Sequence, residues 1–493
     1  MTRHHSFIGL SAIRRGVIVV VASLFSSMAF HTYAAVPAFP GAEGYGAGAI
    51  GGRGGKVLFV SNLNDAGPGS LREALTLDGP RIIVFEVGGT ITLQSPIVIN
   101  KPFVTIAGQS APGGGITLRM ADTANGPAIN IATHDIVVRF IRVRRGKPNK
   151  VECCDDSISI SNETEKVHNV IIDHCSISWA TDELFDVWYQ AENITIQWSM
   201  LSEGLADLSS GAPWGKGPIL GDQPTNISVH HNFFANNIQR NPEINLLAPD
   251  AANFELSNNI IYNWAHGAIG FQGGQANTQI RINIIGNLFI PGPNYVDNRY
   301  EIMISEKNIS AASVFVKDNI GPRRKSADEP DWNSVGILSD GQSYMKTPAP
   351  ETFKKTERWS GSQHPISEIP SATLADQMLT KVGAVFPYRD DVDNRIINQL
   401  KNNTGKIIAD PKDVGGWPNL PAGKPPTDTD RDGMPDEWEK AYGTDPTVND
   451  SALEKSNNGY TNIEEYLNDL VKDYYIMAKN KMIPEPSARL REK

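Results

Sequence analysis

The amino-acid sequence predicts an all-β solenoid, in which short strands stack coil upon coil. Three observations lead to this prediction: β-branched segments recur through the middle of the chain, each ends in a similar polar step, and no helical patterns separate them. Six successive segments place one residue each at the same turn position: Cys175, Ser199, Asn232, Asn259, Asn287 and Asn319. Their spacing of 24 to 33 residues is typical of coils that cannot bury their own faces and therefore stack.

The repeated asparagines suit stacked turns. Asn tolerates the left-handed backbone conformation, and its amide can hydrogen-bond to the Asn of the next coil. A β-sandwich also has many short strands, but it does not need one polar residue at the same phase in six units, so the solenoid is favoured. Less regular segments continue the pattern upstream, at 91–93, 104–106, 116–118 and 136–141.

A short helix is expected to close the N-terminal end of the solenoid, because stacked coils need capped ends. Ser70 precedes Glu73 by three residues, which is the pattern of a capping box. The glycine-rich stretch 41–55 before it lacks the Gly-Lys-Ser/Thr ending of a phosphate-binding loop. We interpret that stretch as loop structure.

Residues 1–34 have the pattern of an export signal. Arg3, Arg14 and Arg15 form a basic start, 16–30 is an apolar run, and small residues before Ala35 form a cleavage site. The apolar run is short for a permanent membrane anchor. A secreted or periplasmic mature protein, without a membrane span after signal removal, is therefore expected.

Composition limits the partners and the source of stability. The 493 residues carry a net charge of −10, which argues against nucleic-acid binding. An acidic polymer would need bound cations or a local basic patch to approach such a surface. The cysteines Cys153, Cys154 and Cys175 cannot supply a disulfide framework, so stability is expected to come from a large core.

Asp182 and Asp186 form the most informative polar motif. Acids four residues apart lie on the same side of a helix turn or of a strand. Two carboxylates held together repel each other unless a cation lies between them, and calcium binds carboxylate oxygens in exported proteins. Taken alone, such a pair is more often a solvated acidic face.

The chain resembles the pectate lyases, extracellular enzymes with a right-handed parallel β-helix. The resemblance spans roughly 39–324 and rests on Ile-Asp-His at 172–174, the Asp182/Asp186 pair, and Gln-Arg-Asn-Pro at 239–242. It implies a parallel β-helix over 35–410 and β-elimination on an acidic polysaccharide, with polygalacturonate as the expected partner. A monomer is expected.

The resemblance also implies a calcium site and two basic groups beside it. Asp156, Asp182 and Asp186 would hold Ca²⁺, with Asp155 as a possible substitute for Asp156. Lys216 matches the lysine that contacts the substrate carboxylate, and Arg240 matches the catalytic arginine.

One position departs from the family pattern. Asn245 stands where a second arginine is common, which leaves the detailed subsite chemistry open. Arg323 and Arg324 could supply substrate-binding charge from a later coil, although a basic surface turn would also explain them.

The composition changes after residue 410. Residues 411–426 are a Pro/Gly-rich linker. The acids that follow occupy positions 1, 3, 5, 9 and 12 of an EF-hand-type loop, with glycine at position 6. These acids are Asp428, Asp430, Asp432, Asp436 and Glu439. A degenerate partner at 457–465 precedes a helix from about 463 to 479. Residues 427–493 are therefore expected to form a small helical calcium-binding segment with a structural role, and a sugar-binding or surface role stays open.

Three functions remain in competition. The first is a calcium-dependent pectate lyase that cleaves (1→4)-α-D-galacturonan to 4,5-unsaturated products. The second is a lyase of another uronate polymer, and the third is a non-catalytic β-helix that binds polysaccharide. A hydrolase would need a protonated acid and a second carboxylate across the scissile bond. Apart from the proposed metal ligands, the sequence offers no comparable pair.

Overall fold

The structure is a computed structural model that describes residues 36–206, 215–247, 251–273, 279–296, 300–305, 312–338 and 354–479. The predicted export signal at 1–34 lies outside these residues.

Within the described residues, three parallel sheets form the body of the protein, and sheets A, B and C contain 10, 8 and 9 strands. Sheet A contains β1 (Lys56–Val60), β2 (Arg81–Phe85), β5 (Val104–Ala107), β8 (Ile136–Arg139), β11 (Val167–Asp173), β14 (Ala191–Gln197), β17 (Thr225–His230), β20 (Ala251–Ser257), β23 (Gln279–Ile285) and β26 (Ala312–Lys317). Sheet B contains β3 (Gly89–Leu93), β6 (Ile116–Met120), β9 (Arg142–Arg144), β12 (Ser176–Ser178), β15 (Met200–Ser202), β18 (Phe233–Ala235), β21 (Ile260–Tyr262) and β24 (Leu288–Ile290). Sheet C contains β4 (Ile97–Ile99), β7 (Ile129–Ile131), β10 (Ile158–Ile160), β13 (Phe185–Val187), β16 (Ile219–Asp222), β19 (Glu243–Leu246), β22 (Ile269–Gly273), β25 (Ile302–Ser305) and β27 (Val335–Leu338).

Each coil contributes strands to these sheets and pairs with the coils before and after it. In sheet A, for example, Ile172 lies between Val138 and Ile196 in register. The inward side chains of all three sheets form one continuous apolar core, because a single coil has no second layer against which to bury its own face. The predicted parallel β-helix is confirmed.

The helix predicted at the N-terminal end is confirmed as α1 (Leu71–Thr76). Ser70 caps it by accepting a hydrogen bond from the Glu73 N–H. Leu71 and Leu75 pack into the same core as the strands, so α1 covers the first coil. The glycine-rich stretch before it contains a short 3₁₀ helix, Tyr45–Gly48, which lies against β11 and β14.

The predicted ladder of stacked turn residues is confirmed. The Asn259 Oδ1 atom accepts hydrogen bonds from the Asn232 N–H and Nδ2 at 3.1 Å each, and Asn287 receives the same pair from Asn259 at 2.9 and 3.0 Å. The left-handed conformation, however, belongs to the residue before each ladder position, such as His231 or Asn258. The ladder asparagines are thus selected for their amides rather than for their backbone conformation.

A second asparagine ladder, which the sequence interpretation missed, runs across the first residues of strands β11, β14, β17 and β20 of sheet A. The Nδ2 atoms of Asn193, Asn226 and Asn253 each donate to the asparagine of the preceding coil, at 3.2, 3.0 and 2.8 Å, beginning at Asn169. Three of its members, Asn169, Asn193 and Asn226, have positive φ. In this ladder, asparagine therefore both adopts the left-handed conformation and supplies the amide that bonds to the next coil.

The chain after the last coil returns over sheet B through α2 (Leu374–Met378) and α3 (Asp391–Asn402). Buried Arg144 in β9 donates to Asp390 and Asp393 at 2.8 Å each. The predicted linker also lies against the solenoid, since the Gly114 N–H donates to the Pro421 carbonyl at 2.8 Å.

The C-terminal segment contains α4 (Asp436–Tyr442) and α5 (Asn462–Lys479), and α5 agrees with the predicted helix. Ile463 and Leu467 pack on Ile82, Val84 and Ala107 at the outer face of sheet A. Among the described residues, no helix has both the length and the apolar character needed to cross a membrane.

Candidate active site

The candidate site lies along the turn that leads into sheet C. Asp156, Glu183, Lys216 and Arg240 each stand two or three residues before a strand of this sheet, on four successive coils. A backbone bridge aligns Glu183 with Lys216. Stacking therefore brings together residues that lie far apart along the chain.

Four buried acids form the first part of the site. Carboxylate oxygens of Asp156, Asp182 and Glu183 all lie within 4.8 Å of one another. Asp186 follows on β13, where its Oδ2 accepts a hydrogen bond from Ser159 Oγ at 3.1 Å. Its Oδ1 is buried without a hydrogen-bond partner. Of the sequence-predicted acids, Asp156 and Asp182 thus meet directly, and Asp186 lies near enough for its charge to act on Asp156.

Burial and mutual repulsion disturb the ionisation of these acids. Burial, with the charge of Asp182 added, raises the pKa of Glu183 to about 7. Burial also raises the pKa of Asp186 to about 7 and that of Asp156 well above its ordinary value. Burial acts in the same direction on Asp182, but the Lys216 ammonium and the hydrogen bond from the Cys154 N–H together outweigh it and lower the Asp182 pKa. Such a cluster fits a divalent cation, which would favour all the ionised forms.

The structure distinguishes Asp155 from Asp156. Asp155 forms a buried ion pair with Arg145 and accepts hydrogen bonds from the N–H groups of Gly126 and Glu152 at 2.8 and 2.9 Å. Asp156 instead accepts the Glu183 N–H at 2.9 Å and faces the acid cluster. This geometry favours Asp156 as the carboxylate available to a cation.

Two basic side chains adjoin the acids. The Lys216 Nζ atom lies 2.7 Å from Asp182 Oδ1 and 3.3 Å from Glu183 Oε1. Arg240 pairs with Glu183 through its Nη1 atom, and its Nε lies 3.5 Å from Glu243 Oε1. The Arg240 side chain is 18% exposed and borders an open depression that continues toward His266 and Gln272. Arg240 is thus both held in place and accessible.

Sequence reasoning missed Glu183 and Glu243. Glu183 is adjacent to Asp182 and had no spacing that singled it out. Only the pairing of its coil with that of Lys216 shows that it contacts both basic groups. Glu243 lies three residues after Arg240, and the two side chains form an ion pair. This short spacing along the chain was a signal from which the contact could have been predicted.

The two later arginines have different environments. Arg324 is 3% exposed and donates to the carbonyls of Asn319, Ala327 and Glu329. This burial contradicts the prediction that Arg324 binds substrate, because its donors close the last turns of the solenoid. Arg323 is partly exposed beside the Tyr300 ring, 5.8 Å from its centroid, which keeps its substrate role a prediction.

The C-terminal acids also converge. Oxygens of Asp428, Asp430 and Asp432 lie within 4.8 Å of one another, and Asp432, Glu439 and Asp450 form an overlapping group. Both carboxylate oxygens of Asp430 and of Glu439 are buried without hydrogen-bond partners. Burial, with nearby acids, raises the pKa of Asp430 to about 6 and that of Glu439 to about 7.

Asp436 does not join this cluster. Its carboxylate accepts hydrogen bonds from the Thr429 N–H and Oγ1, both at 2.8 Å. The side chain closes the loop in this arrangement, and the role of Asp436 as a metal ligand stays a prediction. Asp450, which the loop spacing did not include, stands next to Asp432 and Glu439.

Comparisons with known proteins identify relatives of the chain. No protein-family profile matches the chain. The probable pectate lyase C of Aspergillus flavus is 34% identical over 471 residues, which cover 92% of this chain and 99% of that protein. The probable pectate lyase C of Neosartorya fischeri is 36% identical over 458 residues, 90% of this chain and 95% of that protein. Among solved structures, the cedar pollen allergen Jun a 1 matches 70% of this chain and 93% of its own, at 18% identity and a TM-score of 0.46. Through its full-length fungal relatives, the chain belongs to the pectate lyase family and is a polysaccharide lyase.

Proposed function

We propose that the protein is a calcium-dependent pectate lyase, which cleaves (1→4)-α-D-galacturonan by β-elimination and leaves 4,5-unsaturated products. The observation that carries this proposal is the buried group of Asp156, Asp182 and Glu183, which lies beside Lys216 and Arg240. Asp186 adjoins this group, since its charge acts on Asp156. The names of the fungal relatives support the substrate class.

The acid cluster fits calcium by its donor chemistry. Calcium takes six to eight oxygen ligands, with carboxylates prominent among them. Asp156, Asp182 and Asp186 would hold the ion, with Glu183 as a further ligand, and Asp186 Oδ1 is a buried oxygen without another partner. Bound calcium would act as a Lewis acid on the substrate carboxylate and make the neighbouring C5 proton more acidic.

Lys216 and Arg240 would have separate roles in the reaction. Lys216 would place an ammonium at the substrate carboxylate, where negative charge develops as the C5 proton leaves. Arg240 would abstract that proton, and the electron pair left on C5 would form the C4–C5 double bond as the C4–oxygen bond breaks. Glu183 is paired with Arg240, so this contact would have to open before Arg240 could take the proton.

A direct assay tests the proposal. The purified protein is incubated with polygalacturonate and calcium, and ultraviolet absorbance reports the unsaturated product. We expect a calcium-dependent rise in absorbance that is abolished by exhaustive chelation. Activity that survives chelation would contradict the calcium site.

A lyase of another uronate polymer is the second candidate, and Asn245 is the observation that favours it. This side chain occupies the outward face of β19, where a second arginine is common in the family. Product absorbance only with other uronates would support this candidate. No product with any uronate would favour a polysaccharide-binding protein.

For the C-terminal loop we propose a second, structural calcium site. Asp428, Asp430, Asp432, Glu439 and Asp450 would supply the carboxylates. The loop precedes α5, which packs on sheet A, so bound calcium would stabilise this contact. We further propose that the protein acts as a secreted or periplasmic monomer, as the sequence predicts.

A further inference from the structure

Two parallel rows of side chains cross the outward face of sheet C. In the first row, Asp186 pairs in register with Ile219, Ile219 with Glu243, and Glu243 with Gly270. In the second row, Gly221 pairs with Asn245, and Asn245 with Gln272. Trp188 extends this second row, because Val187 pairs with Leu220 one residue earlier on each strand.

The second row differs in chemistry from the first. Its four members, Trp188, Gly221, Asn245 and Gln272, carry no charge at any ordinary pH, whereas the first row contains two acids. Residues between the rows, such as Val187 and Ile244, point inward to the core. The second row therefore faces outward beside the acid cluster.

Trp188 and Gly221 are fitted to each other. A Cβ atom at residue 221 would lie 1.9 Å from Trp188 Cζ3 and 2.4 Å from Cε3. Only glycine leaves room for the indole to cover the strand of the next coil. Trp188 is nevertheless partly exposed, so the ring also offers apolar surface to solvent, two residues after Asp186.

The amides complete the row. Asn245 is partly exposed on β19, and Gln272 Nε2 lies 3.4 Å from Glu243 Oε2. Amide groups both donate and accept hydrogen bonds, which suits sugar hydroxyls. An apolar surface with a few polar groups is typical of sites that bind small organic units.

We propose that Trp188, Asn245 and Gln272 form a neutral subsite for one sugar unit of the polymer. The unit packs on the indole and hydrogen-bonds to the amides, and none of these groups requires an ionised carboxylate. The enzyme therefore accepts a methyl-esterified uronate at this subsite, next to the unesterified unit at the acid cluster. This inference rests on the proposed function and adds to it the tolerated form of the substrate.

Kinetics on two polymers test the inference. Wild type, Trp188→Ala, Trp188→Phe and Asn245→Arg are compared on polygalacturonate and on a partly methyl-esterified pectin, at saturating calcium. Trp188→Ala should raise KM about two- to ten-fold on both polymers, as expected for one lost stacking contact, with kcat little changed. Trp188→Phe, which keeps an aromatic ring, should raise KM less than Trp188→Ala does. Asn245→Arg should raise the preference for the unesterified polymer.

The opposite results would overturn the subsite. These are an unchanged KM for Trp188→Ala, or an unchanged polymer preference for Asn245→Arg, in variants whose circular dichroism matches wild type. Wild type that loses all activity on the partly esterified pectin would also contradict it.

A binding measurement separates this inference from the proposed function. Calorimetry of Arg240→Ala with galacturonate oligomers and calcium, with and without Trp188→Ala, gives the Kd without turnover. If wild type shows no lyase activity but Trp188→Ala weakens binding, the proposed function fails and the subsite stands. If lyase activity is present but Trp188→Ala changes neither KM nor Kd, the subsite fails and the function stands.

Discussion

Glu183 and Arg240 form an ion pair across two coils of the β-helix, with Lys216 on the coil between them also contacting Glu183. Glu183 therefore connects the acid cluster to the proposed base. Burial raises its pKa to about 7, while the charges of Arg240 and Lys216 act against that rise. The pair holds Arg240 at the edge of the site. A cation bound by the acids would compete with Arg240 for this carboxylate.

Replacing Arg240 should abolish most turnover. We expect Arg240→Ala and Arg240→Lys to lower kcat by about 10²- to 10⁴-fold, the usual contribution of a positioned general base. Product absorbance with polygalacturonate measures the effect. Arg119→Ala, which removes an arginine paired with Asp122 on another surface, serves as the control and should retain kcat. Near-normal turnover of folded Arg240→Ala would contradict the assignment.

The acid cluster should make the calcium-free protein less stable as pH rises. The pKa of Asp186 is raised from its ordinary 3.8 to about 7 by burial, so the folded state binds this proton more tightly than the unfolded state. The resulting stabilisation is present below about pH 4 and is lost as the pH rises through about 7. Asp186→Asn should remove this pH-dependent component. In chelator, the Tm of the variant should therefore exceed that of wild type by more at pH 8 than at pH 4.

Bound calcium should oppose the loss of stability that wild type shows as the pH rises. Because the ion binds ionised carboxylates, its apparent affinity should increase between pH 5 and 8. Calorimetric titration at several pH values measures the affinity. An affinity independent of pH over this range would show that Asp186 and Glu183 do not take part.

The C-terminal site should affect stability rather than catalysis. Calcium at about 100 times its Kd should stabilise the fold by about 2.7 kcal/mol, measured by thermal unfolding. Glu439→Gln and Asp450→Asn should reduce this increment while leaving kcat at saturating calcium unchanged. Asp436→Asn is the matched control, since Asp436 bonds to Thr429. A loss of the increment as large in Asp436→Asn as in Glu439→Gln would contradict the ligand set.

The buried ion network under α3 should be a major source of stability. Arg144→Met would leave Asp390 and Asp393 buried without this partner, and removing one side of such a network costs about 3–5 kcal/mol. Urea unfolding measures the change in the free energy of unfolding. Lys150→Met breaks the exposed pair with Glu152 and should have little effect. Equal effects of the two substitutions would show that burial of the network is not decisive.

Much of the fold could be predicted because its signal is periodic. The ladder from Ser199 to Asn319 requires one polar residue at the same phase of every coil, and that phase is visible along the chain. The acids Asp182 and Asp186 were visible for a different reason, because both lie within one short segment. The capping of α1 by Ser70 is equally local.

The stacked coils, the cap and the candidate acids could be found in the amino-acid sequence, because these features depend on local spacing and on a repeated phase. Three-dimensional packing was needed to show that Glu183 contacts Lys216 and Arg240, that Asp450 lies beside Asp432 and Glu439, and that Arg324 is buried. It also set Trp188 beside Gly221. Strand register explains this difference. Because the coils differ in length, the residues that stand opposite each other are defined only once the strands pair.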